Sequence, residues 1–227
     1  MPLPQYEIFK DEFKEFVKVM FPHVYNSLHS WQKEFIDDID EFYKDESRLA
    51  GLFAIAGAKG IGKTEVEVLP LIWKMLTADH TNLKMMGGKK EQIKEILVNR
   101  LRKFISFNPS MMDVLNIQAL SVGYKSKEHF TKFNSSIQSL VFNKDNPSKI
   151  AGNHADHNIY IIDEANTIDQ RVFEELYGVV LTGKTLILAM ANPEFVVKSY
   201  FGLLMTSKDR VDCALDWNTR LVGIDQC

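Results

Sequence analysis

The chain has 227 residues, of which 45% are hydrophobic and 25% charged, and its formal net charge is −3. This size and composition fit one globular α/β domain with a sizeable core. The net charge excludes a strongly basic protein that coats nucleic acid, so any DNA contact has to come from a local basic patch or from an assembled ring. Two cysteines, Cys213 and Cys227, make no disulfide framework and indicate a reducing compartment, and neither a membrane-spanning run nor a signal-like N-terminus is apparent.

Two amphipathic helices are predicted ahead of the first strand. The segment "FKDEFKEFVKVMFP" has helical apolar spacing, with Pro22 as its stop. Its apolar face consists of Phe9, Phe13, Phe16, Val17 and Met20. The segment "SLHSWQKEFIDDIDEFYKDESRL" predicts the second helix, with Ser30 as the N-cap and Glu34 near the capping-box position.

A strand, a glycine-rich loop and a helix are predicted next, in "FAIAGAKGIGKTEVEVLPLIWKML". Leu52 to Ala56 are typical of a short buried strand, and Thr64 to Leu76 have helical apolar spacing that Pro70 should kink or shorten. The loop between them matches the phosphate-binding pattern G-x-x-x-x-G-K-[ST] in full. It consists of Gly57, Ala58, Lys59, Gly60, Ile61, Gly62, Lys63 and Thr64.

Each part of this loop suits a nucleotide phosphate. The glycines allow backbone angles that turn successive N–H groups inward, and the helix that starts near Gly62 directs its positive end at the same anion. Lys63 is expected to reach the β- and γ-phosphates, and the hydroxyl of Thr64 to bind Mg²⁺. A plain strand-to-helix corner is the alternative interpretation.

A metal-holding carboxylate is predicted in "NIYIIDEAN". Ile159 to Ile162 are typical of a central parallel strand, and Asp163 and Glu164 follow at its carboxyl end, where ligands bind in such sheets. We expect Asp163 to hold Mg²⁺ through water and Glu164 to act as the general base on the attacking water. An acidic strand end before a turn is the alternative.

Further strands and helices alternate along the chain. "NLKMMGGKK", "SSIQSLVFN" and "TLILAMANP" predict strands, and "QRVFEELYGVV" predicts a helix, whereas residues 108–135 give no clear pattern. "KEQIKEILVNRLRKFI" predicts a helix on which Arg100 falls within the apolar stripe, with its head reaching water. The apolar stripe consists of Ile93, Ile96, Leu97, Leu101 and Phe104, and the charged residues beside it are Lys94, Arg102 and Lys103. This alternation predicts a parallel sheet with helices on both faces.

Four sequence segments, in their order along the chain, resemble the ATPase domain of phage terminase large subunits, the motors that package DNA into a procapsid. They are Trp31-Gln32, the phosphate loop, "GNHADHNIYIIDEAN" and "AMANP". The resemblance implies that Gln32 recognises adenine, although Trp31 can equally be a core anchor. It also implies that Asn192 senses the γ-phosphate and couples hydrolysis to motion, although Asn-Pro is also a common turn.

The chain departs from this family at two positions. Lys59 stands where members often have arginine; the lysine keeps the positive charge but lacks the planar guanidinium that bonds phosphate at two points. Ala151 stands where many members have another arginine. A neighbouring subunit would supply the cation that stabilises the transferring phosphate, and the identity of this cation is therefore open. The candidates are Lys149, Arg100 and Arg102. A trans cation predicts slow hydrolysis by the dilute domain and faster hydrolysis in a ring.

Two further site types are considered and set aside. His154, Asp156 and His157 cluster, but no further ligand stands nearby at spacing suited to tetrahedral zinc. A two-metal nuclease could use the aspartates near the end of the sequence, but too little chain follows them to complete a fold, so no nuclease activity is expected. These aspartates are Asp209, Asp212, Asp216 and Asp225.

The expected fold is therefore a P-loop NTPase of the RecA-like type, with a mainly parallel sheet flanked by helices and additional N-terminal helices. We expect an N-terminal helical segment at 1–50, an ATPase core at 51–205 and a C-terminal extension at 206–227. The catalytic residues are expected to be Glu164, Lys63 and Asn192. The resemblance implies ATP and Mg²⁺ as ligands.

The resemblance also implies partners and a cellular place. The expected partners are double-stranded DNA, the portal or procapsid, the small terminase subunit and further copies of the chain in a ring, with a monomer in isolation left open. The expected location is the cytoplasm of a bacterial host, with no membrane contact. The alternative function is a helicase-type ATPase, because "DEAN" resembles the helicase Asp-Glu-Ala-x box, although no second RecA-like domain fits in the chain. A non-hydrolysing DNA-binding subunit is a third interpretation, which the intact set of site residues disfavours.

Overall fold

A computed structural model provides the three-dimensional structure of the chain. It describes residues 5–127, 129, 135–141, 155–180, 182–193, 199–206 and 217–223, and only the backbone at 92 and 96–98. Several positions named above lie outside these residues, and the interpretations that depend on them stay predictions. They are Lys149, Ala151, His154, Asp209, Asp212, Cys213, Asp216, Asp225 and Cys227, together with the side chains of Ile96 and Leu97.

The described strands form one eight-stranded sheet in the order β3-β4-β5-β2-β6-β7-β1-β8. Six strands run parallel, and β3 and β4 at one edge are antiparallel to their neighbours. Their bounds are β1 Ala50–Gly57, β2 Thr81–Gly87, β3 Leu115–Ile117, β4 Ser121–Tyr124, β5 Ser136–Val141, β6 His157–Ile162, β7 Lys184–Ala191 and β8 Asn218–Val222. The central strands β6 and β7 are almost continuously buried, because helices cover both faces of a parallel sheet.

Three N-terminal helices cover one face of the sheet: α1 Phe13–Met20, α2 Pro22–Ser27 and α3 Ser30–Lys44. Their aromatic residues share a core with the sheet, including edge-to-face contact of Phe35 with Phe53 at 5.6 Å between ring centroids. Pro22 begins α2 as well as ending α1, since proline suits a first helical position. The predicted cap at Ser30 is wrong: His29 is the N-cap of α3, and its backbone N–H donates to Gln32 Oε1 at 2.8 Å.

The helix after the phosphate loop is broken, as Pro70 predicted. It consists of α4 Lys63–Glu67 and α5 Leu69–Thr77, and the proline lies in the first turn of α5. The helix after β2 is also composite: α6 Lys90–Lys94 passes into a π-helical segment at Glu95–Arg100 and then into α7 Leu101–Ser106. π-Helical turns widen the backbone locally and occur often at functional sites.

The segment that gave no clear pattern contains α8 Pro109–Val114 and the antiparallel pair β3 and β4. On the opposite face of the sheet lie α9 Gln170–Val179 and α10 Tyr200–Thr206, which enclose a second apolar cluster around Phe173 and Phe201. Strand β8 pairs with β1 and is tied to α3, because Arg220 bonds Asp38 at 2.7 Å and the Trp31 carbonyl at 3.2 Å.

The predicted division at 50/51 and 205/206 stays a prediction. The N-terminal helices pack into the same apolar core as the sheet, and β8, from the predicted C-terminal extension, is a strand of that sheet. Within the described residues, none of the helices combines the length and the apolar character that crossing a bilayer requires.

His157 should make the stability of the fold depend on acidity. Burial, together with the nearby positive charges of Lys74, Lys10 and Lys184, lowers the pKa of His157 to about 3, and its Nδ1 has no hydrogen-bond partner among the described residues. In the unfolded chain His157 has an ordinary pKa of about 6.5, so below this pH it is protonated in the unfolded chain while it stays neutral in the folded chain. The free energy of unfolding should therefore fall as pH is lowered from about 6.5 toward 3, by at most about 1.4 kcal/mol per pH unit for this proton.

Urea unfolding of the parent and of His157→Asn between pH 7.5 and 5 measures this effect. The variant should show a shallower loss of unfolding free energy on acidification, and the exposed His23→Asn should follow the parent. Equal slopes for the parent and His157→Asn would refute the assignment.

Candidate functional site

Parallel pairing brings the predicted site residues to one edge of the sheet. Strand β7 lies between β1 and β6, so the residues that follow these strands meet at their carboxyl ends. The loop after β1, Asn192 after β7, and Asp163 and Glu164 after β6 line one cavity of about 370 Å³. Its lining consists of Lys59, Gly60, Gly62, Lys63, Thr64, Glu65, Arg100, Asp163, Glu164, Ala191 and Asn192.

The loop has a backbone that only glycine adopts easily. Gly60 and Gly62 have φ values of 89° and 84°, in the left-handed region that a Cβ disfavours. A Cβ on Gly57 would lie 2.1 Å from Ile61 Cδ1, and a Cβ on Gly62 would lie 2.6 Å from Gln32 Nε2. The glycine positions of the motif therefore correspond to close approaches and left-handed backbone in the structure.

The Lys63 ammonium lies at the centre of this arrangement. It donates to the carbonyl oxygens of Gly57 at 2.6 Å and Ala58 at 3.0 Å, and to Asn192 Oδ1 at 3.1 Å. Burial lowers the pKa of Lys63, and the carboxyl of Glu67, where it is ionised, and that of Asp163 act in the opposite direction. An ammonium has three N–H donors, and all three have oxygen partners here.

The two carboxylates that end β6 differ in backbone conformation. The Asp163 N–H donates to the Met86 carbonyl of β2 at 3.0 Å, which extends the pairing of the two strands by one residue. Glu164 has a left-handed backbone with φ of 50°, and its carbonyl accepts from the N–H and the hydroxyl of Thr167 at 2.8 and 2.9 Å. A non-glycine residue in this region stores strain, which is typical of functional sites.

Glu67 is a buried carboxyl that the sequence analysis did not identify. It lies on α4 with 0% of its surface exposed, and neither carboxyl oxygen has a hydrogen-bond partner in the described structure. Burial and the neighbouring negative charge of Asp163 raise its pKa well above the ordinary range, which favours the neutral form of Glu67. The site thereby avoids adding another negative charge where an anion would bind.

Gln32 links α3 to the loop. Its Nε2 donates to the Gly62 carbonyl at 2.8 Å, its Oε1 accepts from the His29 N–H, and only 1% of its surface is exposed. Its role in recognising adenine stays a prediction, and both ends of its amide are engaged within the protein here. Trp31 is buried in the core, in keeping with the anchor interpretation.

A second cavity of about 340 Å³ adjoins the first and shares Gly60, Gly62 and Glu65 with it. Its remaining lining consists of His23, Val24, Ser27, Leu28, His29, Gln32, Lys103 and Phe107. Phe107 is 45% exposed. Sequence reasoning missed His23 and Phe107, because helix α2 and the end of α7 approach the loop only through tertiary packing.

The two candidate cations within the described residues, Arg100 and Arg102, have different surroundings. Arg100 lines the cavity of its own chain and forms an ion pair with Glu65, while Lys103 lies 3.7 Å from the same carboxylate oxygen. Arg102 lines a separate cavity of about 500 Å³, next to Gln118. Lys149 lies outside the described residues. The expectation for Arg100, a head reaching water, is therefore incomplete, because its guanidinium is paired at the site.

The described residues contain no group of three histidine, cysteine, aspartate or glutamate side chains placed to hold a metal ion. A magnesium ion bound between phosphates does not require such a group, because one or two carboxylates suffice and the remaining ligands are substrate and water. Thr64 and Asp163, on the lining of one cavity, fit that requirement.

Comparison with known proteins identifies the fold. Neither a protein-family model nor a curated protein matches the chain. The large terminase of a thermophilic bacteriophage has a TM-score of 0.52 at 14% identity, over 81% of this chain and 42% of that one. The same phage terminase in complex with ADP gives 0.54 at 13% identity, over 80% and 42%. The HK97 bacteriophage large terminase gives 0.51 at 18% identity, over 72% and 33%.

The chain is thus similar in structure to phage large terminases and spans less than half the length of each of these proteins. At such identities the likeness establishes a shared fold. The predicted fold class is confirmed: a mostly parallel sheet flanked by helices, with additional N-terminal helices.

Substitution of the two left-handed glycines should separate backbone strain from side-chain collision. Alanine at Gly60 meets nothing within 4 Å and should cost only the left-handed penalty of roughly 1–2 kcal/mol. Alanine at Gly62 carries the same penalty and also displaces the Gln32 amide, which should add about 1 kcal/mol for the lost hydrogen bond.

Urea unfolding of Gly60→Ala, Gly62→Ala and each combined with Gln32→Ala measures the difference. In the Gln32→Ala background the extra cost at Gly62 should largely disappear. Equal costs for the two glycines in the parent would show that Gln32 yields without loss.

Proposed function

We propose that this chain is the ATP-hydrolysing motor domain of a viral DNA-packaging terminase, which couples hydrolysis to translocation of double-stranded DNA into a procapsid. The observation that carries the proposal is the Lys63 ammonium, bonded to the loop carbonyls and to Asn192 in one cavity with Asp163 and Glu164. The similarity of fold to large terminases, one of them in complex with ADP, supports it.

Binding of a nucleoside triphosphate follows from the loop. Backbone N–H groups turned inward by Gly60 and Gly62 cradle the phosphates, and Lys59 adds positive charge at the exposed rim. Lys63 exchanges carbonyl partners for β- and γ-phosphate oxygens, which are better acceptors because they carry charge. The lowered pKa of Lys63 does not oppose this exchange, because a bound polyphosphate restores the preference for the charged ammonium.

Thr64 and Asp163, on the lining of one cavity, would hold Mg²⁺. When bound, Mg²⁺ supplies positive charge that neutralises the phosphate oxygens. The raised pKa of Glu67 disfavours its charged form, which leaves Asp163 as the nearby negative charge for this role. Asp163 lies at the end of a paired strand, so its backbone is fixed by the bond to Met86.

Glu164 acts as the general base that orients and deprotonates the attacking water. Its left-handed backbone turns the chain at the rim of the cavity directly after Asp163, so consecutive residues serve the metal and the water. Asn192 couples the nucleotide state to the rest of the domain. Its Oδ1 holds Lys63 in the described state, and capture of Lys63 by phosphate releases it.

The nucleobase lies in the adjoining cavity, which runs from the loop toward α2 and α3. The exposed ring of Phe107 offers an apolar face for stacking, and His23 and His29 add polar edges. For Gln32 to read adenine, its amide must release one of its two present partners. Because Gln32 also bonds the Gly62 carbonyl, a nucleobase that moves the Gln32 side chain would change a hydrogen bond of the phosphate loop.

The partners in this proposal are double-stranded DNA, the portal of the procapsid, the small terminase subunit and further copies of the chain in a ring, in the cytoplasm of a bacterial host. No nuclease activity is part of it. DNA binding depends on the assembled ring, because a net charge of −3 gives the single domain little attraction for DNA.

Two substitutions should separate nucleotide binding from hydrolysis. Lys63→Ala should abolish nucleotide binding or turnover, because the β- and γ-phosphates lose their counter-ion. Glu164→Gln should keep ATP and Mg²⁺ bound while hydrolysis falls by ~10²–10⁴-fold, the usual contribution of a general base.

Equilibrium binding of ATP and steady-state phosphate release measure the two effects, with the exposed Glu41→Gln as a control that should match the parent. Hydrolysis by Glu164→Gln at the parent rate would remove Glu164 from the role of base.

The motor function predicts that hydrolysis responds to the packaging substrates together. Addition of procapsids and linear double-stranded DNA should raise the ATPase rate well above the rate with either alone. The measurement is phosphate release under these conditions, with Lys63→Ala as the blank. Stimulation by single-stranded nucleic acid without any response to procapsids would instead favour the helicase-type ATPase.

A further inference from the structure

Arg100 reaches the candidate phosphate cavity from its own chain. It ends the π-helical segment Glu95–Arg100, lines the cavity beside Lys63 and Asp163, and forms an ion pair with Glu65. Its side chain is 30% exposed and that of Glu65 is 25% exposed, so the pair is partly shielded from water. The described structure therefore has a guanidinium at the site, held by a carboxylate of the same chain.

We propose that Arg100 binds the terminal phosphate of the nucleotide held by its own chain, and that Glu65 retains Arg100 until that nucleotide enters. This inference rests on the proposed function and names a further catalytic residue for it. It also means that the phosphate-stabilising cation comes from within the subunit, so each subunit completes its own site.

An exchange of partners at Arg100 is favoured by charge and by geometry. A triphosphate carries more negative charge than one carboxylate, and the planar guanidinium can bond two phosphate oxygens at once. Glu65 does not become an unpaired carboxylate in the process, because Lys103 already lies 3.7 Å from the same oxygen. The cost of releasing Arg100 is therefore small, and Glu65 works as a latch.

The position of Arg100 is fixed by the fold. The helix that carries it starts directly after β2, the neighbour of β6, and buried Ile93 lies against Gly87 at the end of β2. A Cβ on Gly87 would be 3.7 Å from the Asp163 carbonyl, so the helix begins beside the predicted metal residue. The π-helical segment then packs on α4, which carries Glu65.

Arg102 provides a matched control. It lies two residues further along the same helix but lines a different cavity, next to Gln118 and Glu95. It has the same charge and length, and its loss should leave nucleotide binding unchanged.

Nucleotide binding distinguishes a latch from a purely structural ion pair. Isothermal titration with ATPγS and with ADP, both with Mg²⁺, is performed on the parent, Arg100→Ala, Arg100→Lys, Glu65→Gln and Arg102→Ala, with thermal melts to verify folding. Arg100→Ala should bind ATPγS roughly 10- to 100-fold more weakly, the loss expected for a charged hydrogen bond, and ADP almost as the parent does. Arg100→Lys should recover part of the loss.

Glu65→Gln should act in the opposite direction, with ATPγS binding equal to or tighter than the parent, because Arg100 is released. If Arg100→Ala and Glu65→Gln instead weaken both nucleotides alike, the pair is structural and the inference is overturned. If the parent binds neither nucleotide, the proposed function fails as well, so the two failures are distinguishable.

Mixed subunits test whether Arg100 acts within its own chain. Arg100→Ala should lower the hydrolysis rate by roughly 10³-fold or more, the contribution of an arginine to phosphoryl transfer. Mixing Arg100→Ala with Lys63→Ala, which retains Arg100, should recover no activity. Recovery would mean that the guanidinium crosses a subunit interface, which would overturn the assignment.

Discussion

The parallel pairing of β1 with β7 and of β7 with β6 is the constraint on which the site depends. Because the three strands run in one direction, the phosphate loop, Asn192 and the Asp163–Glu164 pair leave the sheet at the same edge. The register places Ala56 opposite Ala191 and Ile162 opposite Ala189, so these segments emerge within about two residues of one another. Lys63 can then bond Asn192 across the gap between two strands.

Electrostatics at this edge follow from how the charges are buried. Three cations line the cavity in which an anion would bind: Lys59, Lys63 and Arg100. The carboxyl groups near them differ in burial and in pairing. Glu65 is paired with Arg100, burial disfavours the charged form of Glu67, and Asp163 and Glu164 remain at the rim. The cavity lining thus has as many cations as carboxylates, in a chain whose net charge is negative.

The sequence predicted those parts of the structure that local pattern determines. The glycine-rich loop, the buried strands before and after it, and the break at Pro70 depend on backbone geometry and apolar runs, and the structure has them. The cap of α3 at His29 and the hairpin of β3 and β4 are local, but their residues do not follow the usual capping and strand patterns. The sheet position of β8 depends on long-range contacts, which a single sequence does not display. The same holds for the site: the motifs identify Lys63 and Asp163, whereas the Arg100–Glu65 pair arises because a helix after β2 packs on α4.

The bond from the Asp163 N–H to the Met86 carbonyl has a consequence for dynamics. It adds a last ladder bond at the end of two central strands, so this amide hydrogen exchanges with solvent when the ends of these strands open. Loop motion at the cavity and opening of the sheet are therefore separable in hydrogen exchange. The backbone of Asp163 thus shares the slow timescale of the core, while the backbone of Glu164, one residue later and outside that ladder, can follow the faster timescale of the loop.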